Sequence, residues 1–183
     1  MGIREVRRWS IDFGKVLVEN LSQEQQKIVA RICPKASDSH PNFMALDNYL
    51  RLTSLIIPEA MHGLYMLIKR VGSDNVWIVS HASGMERIVN RRIFAVHFFW
   101  EIAGMRPENI IFVDHFAEKA GVCRSLGIGG HIDDRGEALV HMRDIVPLRV
   151  WFNPSTRDLQ RWENTLAGTT LRISGWREII EAL

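Results

Sequence analysis

A chain of 183 residues with 46% apolar content can bury one substantial core, and no long polar linker divides it, so a single domain over 1–183 is expected. Its 23 basic and 21 acidic residues leave a formal net charge of +2. The basic residues are scattered apart from pairs such as Arg7-Arg8, Lys69-Arg70 and Arg91-Arg92, which excludes the concentrated stripe of a nucleic-acid-binding surface, and no apolar run is long enough to cross a bilayer.

A strand-like lead-in, Val6 to Ile11, runs into Asp12 and the turn Asp12-Phe13-Gly14-Lys15-Val16-Leu17. Ser22 to Ile32 reads as a short helix with Ser22 as N-cap and Gln25 in the capping-box position, stopped before Pro34. The polar stretch Lys35 to Asn42 follows. Pro58 opens a helix whose Ala60, Met61, Leu64, Leu67, Ile68 and Val71 recur at helical spacing, and Gly72 ends it. Asn75 to Val79 is a buried strand ending at Ser80, and Gly84 to about Gly104 is helical with a break expected near Phe94. Ile110 to Val113 is a strand, Lys119 to Leu126 a helix with Gly127 at C′. Ile128 to Ile132 is a strand running into Asp133-Asp134, and Glu137 to Met142 a helix. Leu148 to Phe152, the helix Ser155 to Leu166, the strand Thr170 to Ile173 and a terminal helix capped by Ser174 complete the chain. Such alternation predicts an α/β fold with a mostly parallel sheet covered on both faces.

Strand ends carry the reactive groups. Asp12 follows the first strand, Ser80 the second and Asp133-Asp134 the fourth, with Lys119 on the preceding helix. The carboxyl ends of parallel strands share one edge, where carboxylates, a hydroxyl and an ammonium can converge on one anion and a hard cation. Taken singly, each has a plainer role: a strand-end Asp as a turn or N-cap residue, Ser80 as a helix cap, Lys119 as a solvated helix residue. Their order on successive strand ends is what makes them a set.

That order resembles the haloacid dehalogenase-like (HAD) superfamily. Asp12 to Leu17 looks like its first motif, Val76-Trp77-Ile78-Val79-Ser80 its second, Lys119 its third and His131-Ile132-Asp133-Asp134 its fourth. A closer similarity is to small bacterial-type HAD-like proteins with an Asp-Phe-Gly first motif and the run Lys119-Ala120, Cys123-Arg124, Leu126-Gly127, Asp133-Asp134-Arg135. The resemblance implies a HAD-like Rossmannoid three-layer sandwich with a minimal cap. It implies Asp12 as nucleophile and Mg²⁺ ligand and Ser80 and Lys119 as catalytic and substrate-binding groups; His81, directly after Ser80, is a further substrate-binding candidate. Gly14, through its carbonyl, and Asp133 would complete the metal site, with Asp134 holding a metal-bound water or orienting Lys119.

Gly14 is the departure from the family pattern, because phosphatases and mutases of this family carry there an Asp that protonates the leaving group and later activates water. Such help is typically worth about a hundred- to ten-thousandfold in rate. Three accounts stay open: a substrate whose leaving group needs no acid, such as an acyl phosphate, a phosphonate-type carbon or a halide; a proton from His81 or His115; or binding of a phosphorylated ligand without turnover. The expected function is thus a Mg²⁺-dependent hydrolase of a phosphorylated or activated small molecule, the alternative a non-catalytic phospholigand-binding protein of the same fold.

Residues 19–57 offer a small flap or cap insert, with Leu21, Ile28, Phe43, Leu46, Tyr49, Leu50 and Leu52 as its apolar lining or as core. No leader pattern opens the chain, Met1-Gly2 fails the myristoylation template at Val6, and Cys33 and Cys123 have no metal-type spacing. Reduced thiols and a cytoplasmic location are expected. Trp100 or Trp162 is a candidate homodimer contact.

Overall fold

The computed structural model describes residues 2–19, 25, 27, 54–82 and 84–183. The Ser22 cap, the polar stretch at 35–42, the seven flap residues and Cys33 lie outside the described residues; Gln25 and Lys27 are helical.

Among the described residues, six parallel strands form one sheet: β1 (Trp9–Ile11), β2 (Val76–His81), β3 (Ile110–Val113), β4 (Gly130–Asp133), β5 (Leu148–Phe152) and β6 (Leu171–Ile173). Their spatial order is β3-β2-β1-β4-β5-β6. Described helices, numbered in chain order, are α1 (Ala60–Val71), α2 (Gly84–Val96), α3 (Phe99–Ala103), α4 (Phe116–Leu126), α5 (Gly136–His141), α6 (Thr156–Leu166) and α7 (Trp176–Ala182). On one face α1 packs against α3 and α7, while α4, α5 and α6 stack in succession on the other. The chain winds outward from β1 to β3, then crosses back to β4 and winds the other way. The crevice beside β1 is therefore the place where an open α/β sheet binds ligands.

The two faces differ in chemistry. Trp9, Ile11, Val76, Ile78, Ile132, Val150 and Phe152 all bury themselves in the main core with α1 and α7. Their alternates Ser10, Trp77, His131 and Trp151 point to the α4 to α6 side, as the two-residue period of a strand requires. The buried polar groups of β1, β4 and β5 thus gather on one face, whereas Ser80 at the end of β2 shares the register of Val76 and Ile78.

Several boundaries differ from those expected. β1 starts at Trp9 rather than Val6, because the Arg8 carbonyl accepts from both Gly129 and Gly130 N–H and closes the ladder there. β4 starts at Gly130 because Ile128 N–H bonds back to the Cys123 carbonyl in the C-terminal cap of α4. β2 runs on through His81. The break in the helical stretch falls at His97-Phe98 instead of Phe94, with Phe98 left-handed at φ 57°; His97 Nε2 lies 3.0 Å from the Ser54 carbonyl. α1 begins after Glu59 in a left-handed conformation, so Pro58 stands in the preceding turn. Gly175 is the N-cap of α7, and the Ser174 hydroxyl donates to Glu178 Oε1 (2.6 Å) instead of accepting from the helix. α6 starts at Thr156, one residue later than expected, because Ser155 is its N-cap and accepts from Asp158 N–H at 3.1 Å.

The turn after Asp12 is pinned from two sides. Phe13 is buried with its ring centroid 4.5 Å from that of Phe94, and the indole N–H of Trp176 donates to the Val16 carbonyl at 2.7 Å. A Cβ on Gly63 would lie 2.2 Å from the Trp176 ring. Gly63→Ala is therefore expected to push the indole off Val16 and lower stability by about 1–3 kcal/mol. Urea unfolding reads this directly, and an unchanged midpoint would show that the ring is not held against the turn.

Trp100 stacks on Phe94 at 5.4 Å and packs against the main core, and Trp162 packs beside Leu139, Trp151 and Leu166. Both are half-buried within the fold. The two ends of the 19–57 segment meet at the turn that follows Asp12 in sequence: Val18 bridges Ile56 in antiparallel sense, Glu19 N–H bonds the Leu55 carbonyl at 2.8 Å, and Ile57 N–H the Leu17 carbonyl at 2.9 Å. No described helix is long and apolar enough to cross a membrane.

Candidate catalytic and cation site

Strand alternation and one helix face assemble the site. Ser10 and His131 are register partners on β1 and β4, and Asp12 N–H donates to the Ile132 carbonyl at 2.8 Å, carrying the pairing one residue further. Asp12 and Asp133 therefore project two residues beyond Ser10 and His131 on the same sheet face. Over that face lies α4, whose Lys119 and Cys123 stand four residues apart and so share one side of the helix.

Lys119 Nζ donates to Asp12 Oδ1 and to Asp133 Oδ2, each at 2.6 Å. Asp133 Oδ1 accepts from Arg135 N–H at 2.8 Å, and the Ser80 hydroxyl stands near enough to Asp12 to favour its charged form. Beneath this layer runs a second one. His131 Nε2 lies 3.0 Å from Asp133 Oδ2, and Ser10 Oγ lies 2.6 Å from His131 Nδ1 and 3.3 Å from Cys123 Sγ. Lys119, His131 and Asp133 are wholly inaccessible, while Asp12 keeps 7% of its surface and Asp134 4%. The carboxylates nearest the crevice are thus the ones that can be reached.

Burial is the largest single influence on each charged group of the site, and neighbouring charges together reverse it at Asp133 and Lys119. It raises the Asp12 carboxyl above its ordinary range, against the attraction of Lys119 and with help from the charge of Asp133. Burial would raise Asp133 too, but Lys119 and His131 hold it well below the usual carboxylate range. For Lys119, burial works against the charged form and is outweighed by Asp12 and Asp133, which hold the ammonium above the ordinary lysine range. Asp134, with burial and then the charges of Asp133 and Asp12 against it, is pushed up to about 8. Its nearest cations, Lys15 Nζ at 3.8 Å and Arg135 Nε at 3.7 Å, are half-exposed and beyond hydrogen-bond reach.

Three buried carboxylates around one ammonium leave the site short of positive charge. One oxygen from each of Asp12, Asp133 and Asp134 lies within 4.8 Å of the others. This all-oxygen set suits a hard cation rather than zinc or copper, which favour nitrogen and sulfur. The residues present therefore fit a divalent ion of the Mg²⁺ type.

Five of the expected site residues come together: Asp12, Ser80, Lys119, Asp133 and Asp134. Lys119 touches Asp133, not Asp134, so orienting Lys119 falls to Asp133. Gly14 sits half-buried in the pinned turn, bridged to Val18. The His81 ring packs in a tilted arrangement on Phe116, centroids 4.8 Å apart, and the Phe116 ring also lies 5.8 Å from Lys119 Nζ. His115 is exposed at the N-cap of α4. Sequence reasoning missed Ser10, His131, Cys123 and Phe116. The first three had a legible signal: Ser10-x-Asp12 and His131-x-Asp133 share the strand period, and Lys119 and Cys123 share the helix period.

No protein-family model matches the chain, and no curated protein sequence does. Solved structures do. The chain superposes on a protein described as a haloacid dehalogenase-like hydrolase from Burkholderia xenovorans LB400 with a TM-score of 0.62 at 11% identity, over 96% of both chains. It superposes on a HAD family hydrolase from Deinococcus radiodurans R1, solved with bound phosphate and sodium, with a TM-score of 0.57 at 14% identity, over 94% of this chain and 93% of that one. The fold is thus HAD-like and Rossmannoid, and among the described residues no large cap is inserted.

Proposed function

We propose that this chain is a Mg²⁺-dependent HAD-type hydrolase in which Asp12 attacks a phosphorylated or similarly activated small molecule. One observation carries the proposal: a nucleophile-sized carboxylate at the crevice beside β1, with a buried lysine 2.6 Å from its Oδ1 and two further acids beside it.

For a phosphoryl substrate, an Asp12 oxygen attacks phosphorus while the bond to the leaving group breaks and its electron pair departs with that group. Water then hydrolyses the aspartyl phosphate, releasing phosphate and restoring Asp12. Lys119 offsets charge on Asp12 and on the transferred group, and Ser80, at the end of β2 near Asp12, can turn its hydroxyl to a phosphoryl oxygen. Asp12, Asp133, Asp134 and the Gly14 carbonyl would hold Mg²⁺, which supplies charge neutralisation at the transferred oxygens. His81 stands at the end of β2 as a substrate contact. The 19–57 segment, whose ends pair with each other, is in this account the small flap or cap insert.

Leaving-group chemistry selects the substrate. Gly14 supplies no acid, and His81 and His115 have the placements described above, one packed against Phe116 and the other exposed. Bonds whose leaving group needs no proton, acyl phosphates above all, should therefore turn over faster than ordinary phosphomonoesters. Incubation with Mg²⁺ and a panel of acyl phosphates, phosphomonoesters and haloacids tests this. No turnover on any of them, with Mg²⁺-dependent phosphate binding retained, would favour the second reading, a phospholigand-binding protein of the same fold. Gly14 favours that reading too, since without an acid the site can hold an ester it does not cleave.

Gly14→Asp restores the missing carboxyl. The backbone there is not in the left-handed region, so an aspartate adds no left-handed backbone strain. Phosphomonoester hydrolysis is expected to rise by about a hundred- to ten-thousandfold. A rate unchanged by the substitution would contradict the assignment of Gly14 as the missing acid.

A further inference from the structure

Asp133 is surrounded by donors. Its Oδ2 receives both Lys119 Nζ (2.6 Å) and His131 Nε2 (3.0 Å), and its Oδ1 receives Arg135 N–H (2.8 Å). A carboxylate only accepts, so the His131 nitrogen facing it carries a hydrogen in either charge state of the ring. With both Oδ2 directions taken and one at Oδ1 filled, a single oxygen direction stays free for an ion.

We propose that His131 is a positioning residue for the cation site: its Nε2–H holds Asp133 Oδ2 so that Oδ1 is the oxygen presented to the metal, and Ser10 fixes the ring. This rests on the cation reading of the three aspartates. The ring has no freedom to do otherwise. It is wholly buried between β1 and α4, with Ser10 Oγ 2.6 Å from Nδ1 and that hydroxyl 3.3 Å from the Cys123 thiol. Ligand-orienting hydrogen bonds of this kind are worth about ten- to a hundredfold in metal affinity.

The test is calorimetric titration of Mg²⁺ into the wild-type chain and into His131→Leu, His131→Asn and His131→Gln. A glutamine amide reaches the Nε2 position, whereas an asparagine amide stops at the Nδ1 position. Loss of roughly ten- to a hundredfold in Mg²⁺ affinity is expected for Leu and Asn, with Gln restored to within a few-fold of wild type. A merely structural role would lower stability and leave the affinity of the folded protein alone. If His131→Leu does not fold, Asn against Gln makes the same comparison. Proton–nitrogen correlation spectra of the wild-type imidazole should place a hydrogen on Nε2. Unchanged affinity in Leu and Asn, failure of Gln to rescue, or a bare Nε2 would overturn the role. Absence of Mg²⁺ binding by the wild type would overturn it together with the cation reading, which separates the two failures.

Discussion

Asp12→Asn is expected to reduce Mg²⁺-dependent turnover by roughly a thousandfold or more. An amide oxygen is too weak a nucleophile to displace a phosphoryl leaving group, and the substitution also removes one of the three charges gathered for the ion. The fold should survive it. Lys119 keeps its bond to Asp133 and can still donate to the new amide oxygen, since both contacts radiate from the same Nζ. Circular dichroism and urea unfolding check that the loss is chemical. Activity retained to within tenfold would mean that Asp12 is not the nucleophile.

Lys119→Met is expected to have the largest effect on stability. Its ammonium is wholly buried and makes both 2.6 Å contacts that offset Asp12 and Asp133. Removing one partner of a buried ion pair leaves the other charges uncompensated, at a cost of about 3–5 kcal/mol. Methionine fills most of the space, so the loss should be electrostatic rather than a packing defect. In the presence of a chelator, the urea midpoint of the variant should fall far below wild type. Saturating Mg²⁺ should recover part of the difference, because an ion that binds only the folded state stabilises it in proportion to its occupancy. Equal midpoints in chelator would show that Lys119 does not balance the aspartates.

The strand ends were legible because short apolar runs stop at reactive residues: Ile11 before Asp12, Val79 before Ser80, Ile132 before Asp133-Asp134. β3 and β5 match their expected bounds residue for residue. Legibility failed where hydrogen bonds other than the ladder decide. Arg8 reads as strand but spends its carbonyl on two glycine N–H groups, and Ile128 reads as strand but closes the cap of α4. Phe98 carries no mark of a helix break; its left-handed backbone belongs with the His97 contact to Ser54, more than forty residues away in sequence. The second polar layer was hidden for a different reason. Ser10, His131 and Cys123 are unremarkable residue types inside strands and a helix, and only the pairing of β1 with β4 brings them together.

Gly14 gives the most direct test. Without a base to activate water, the second step should lag the first whenever the leaving group departs unaided, so a covalent aspartyl adduct should accumulate. Rapid acid quench of the Mg²⁺-loaded protein with an acyl phosphate, followed by peptide mass spectrometry, should find the phosphoryl group on the peptide that holds Asp12. It should be absent in chelator and in Asp12→Asn. Product formed with no adduct at Asp12, or an adduct on another residue, would contradict the account.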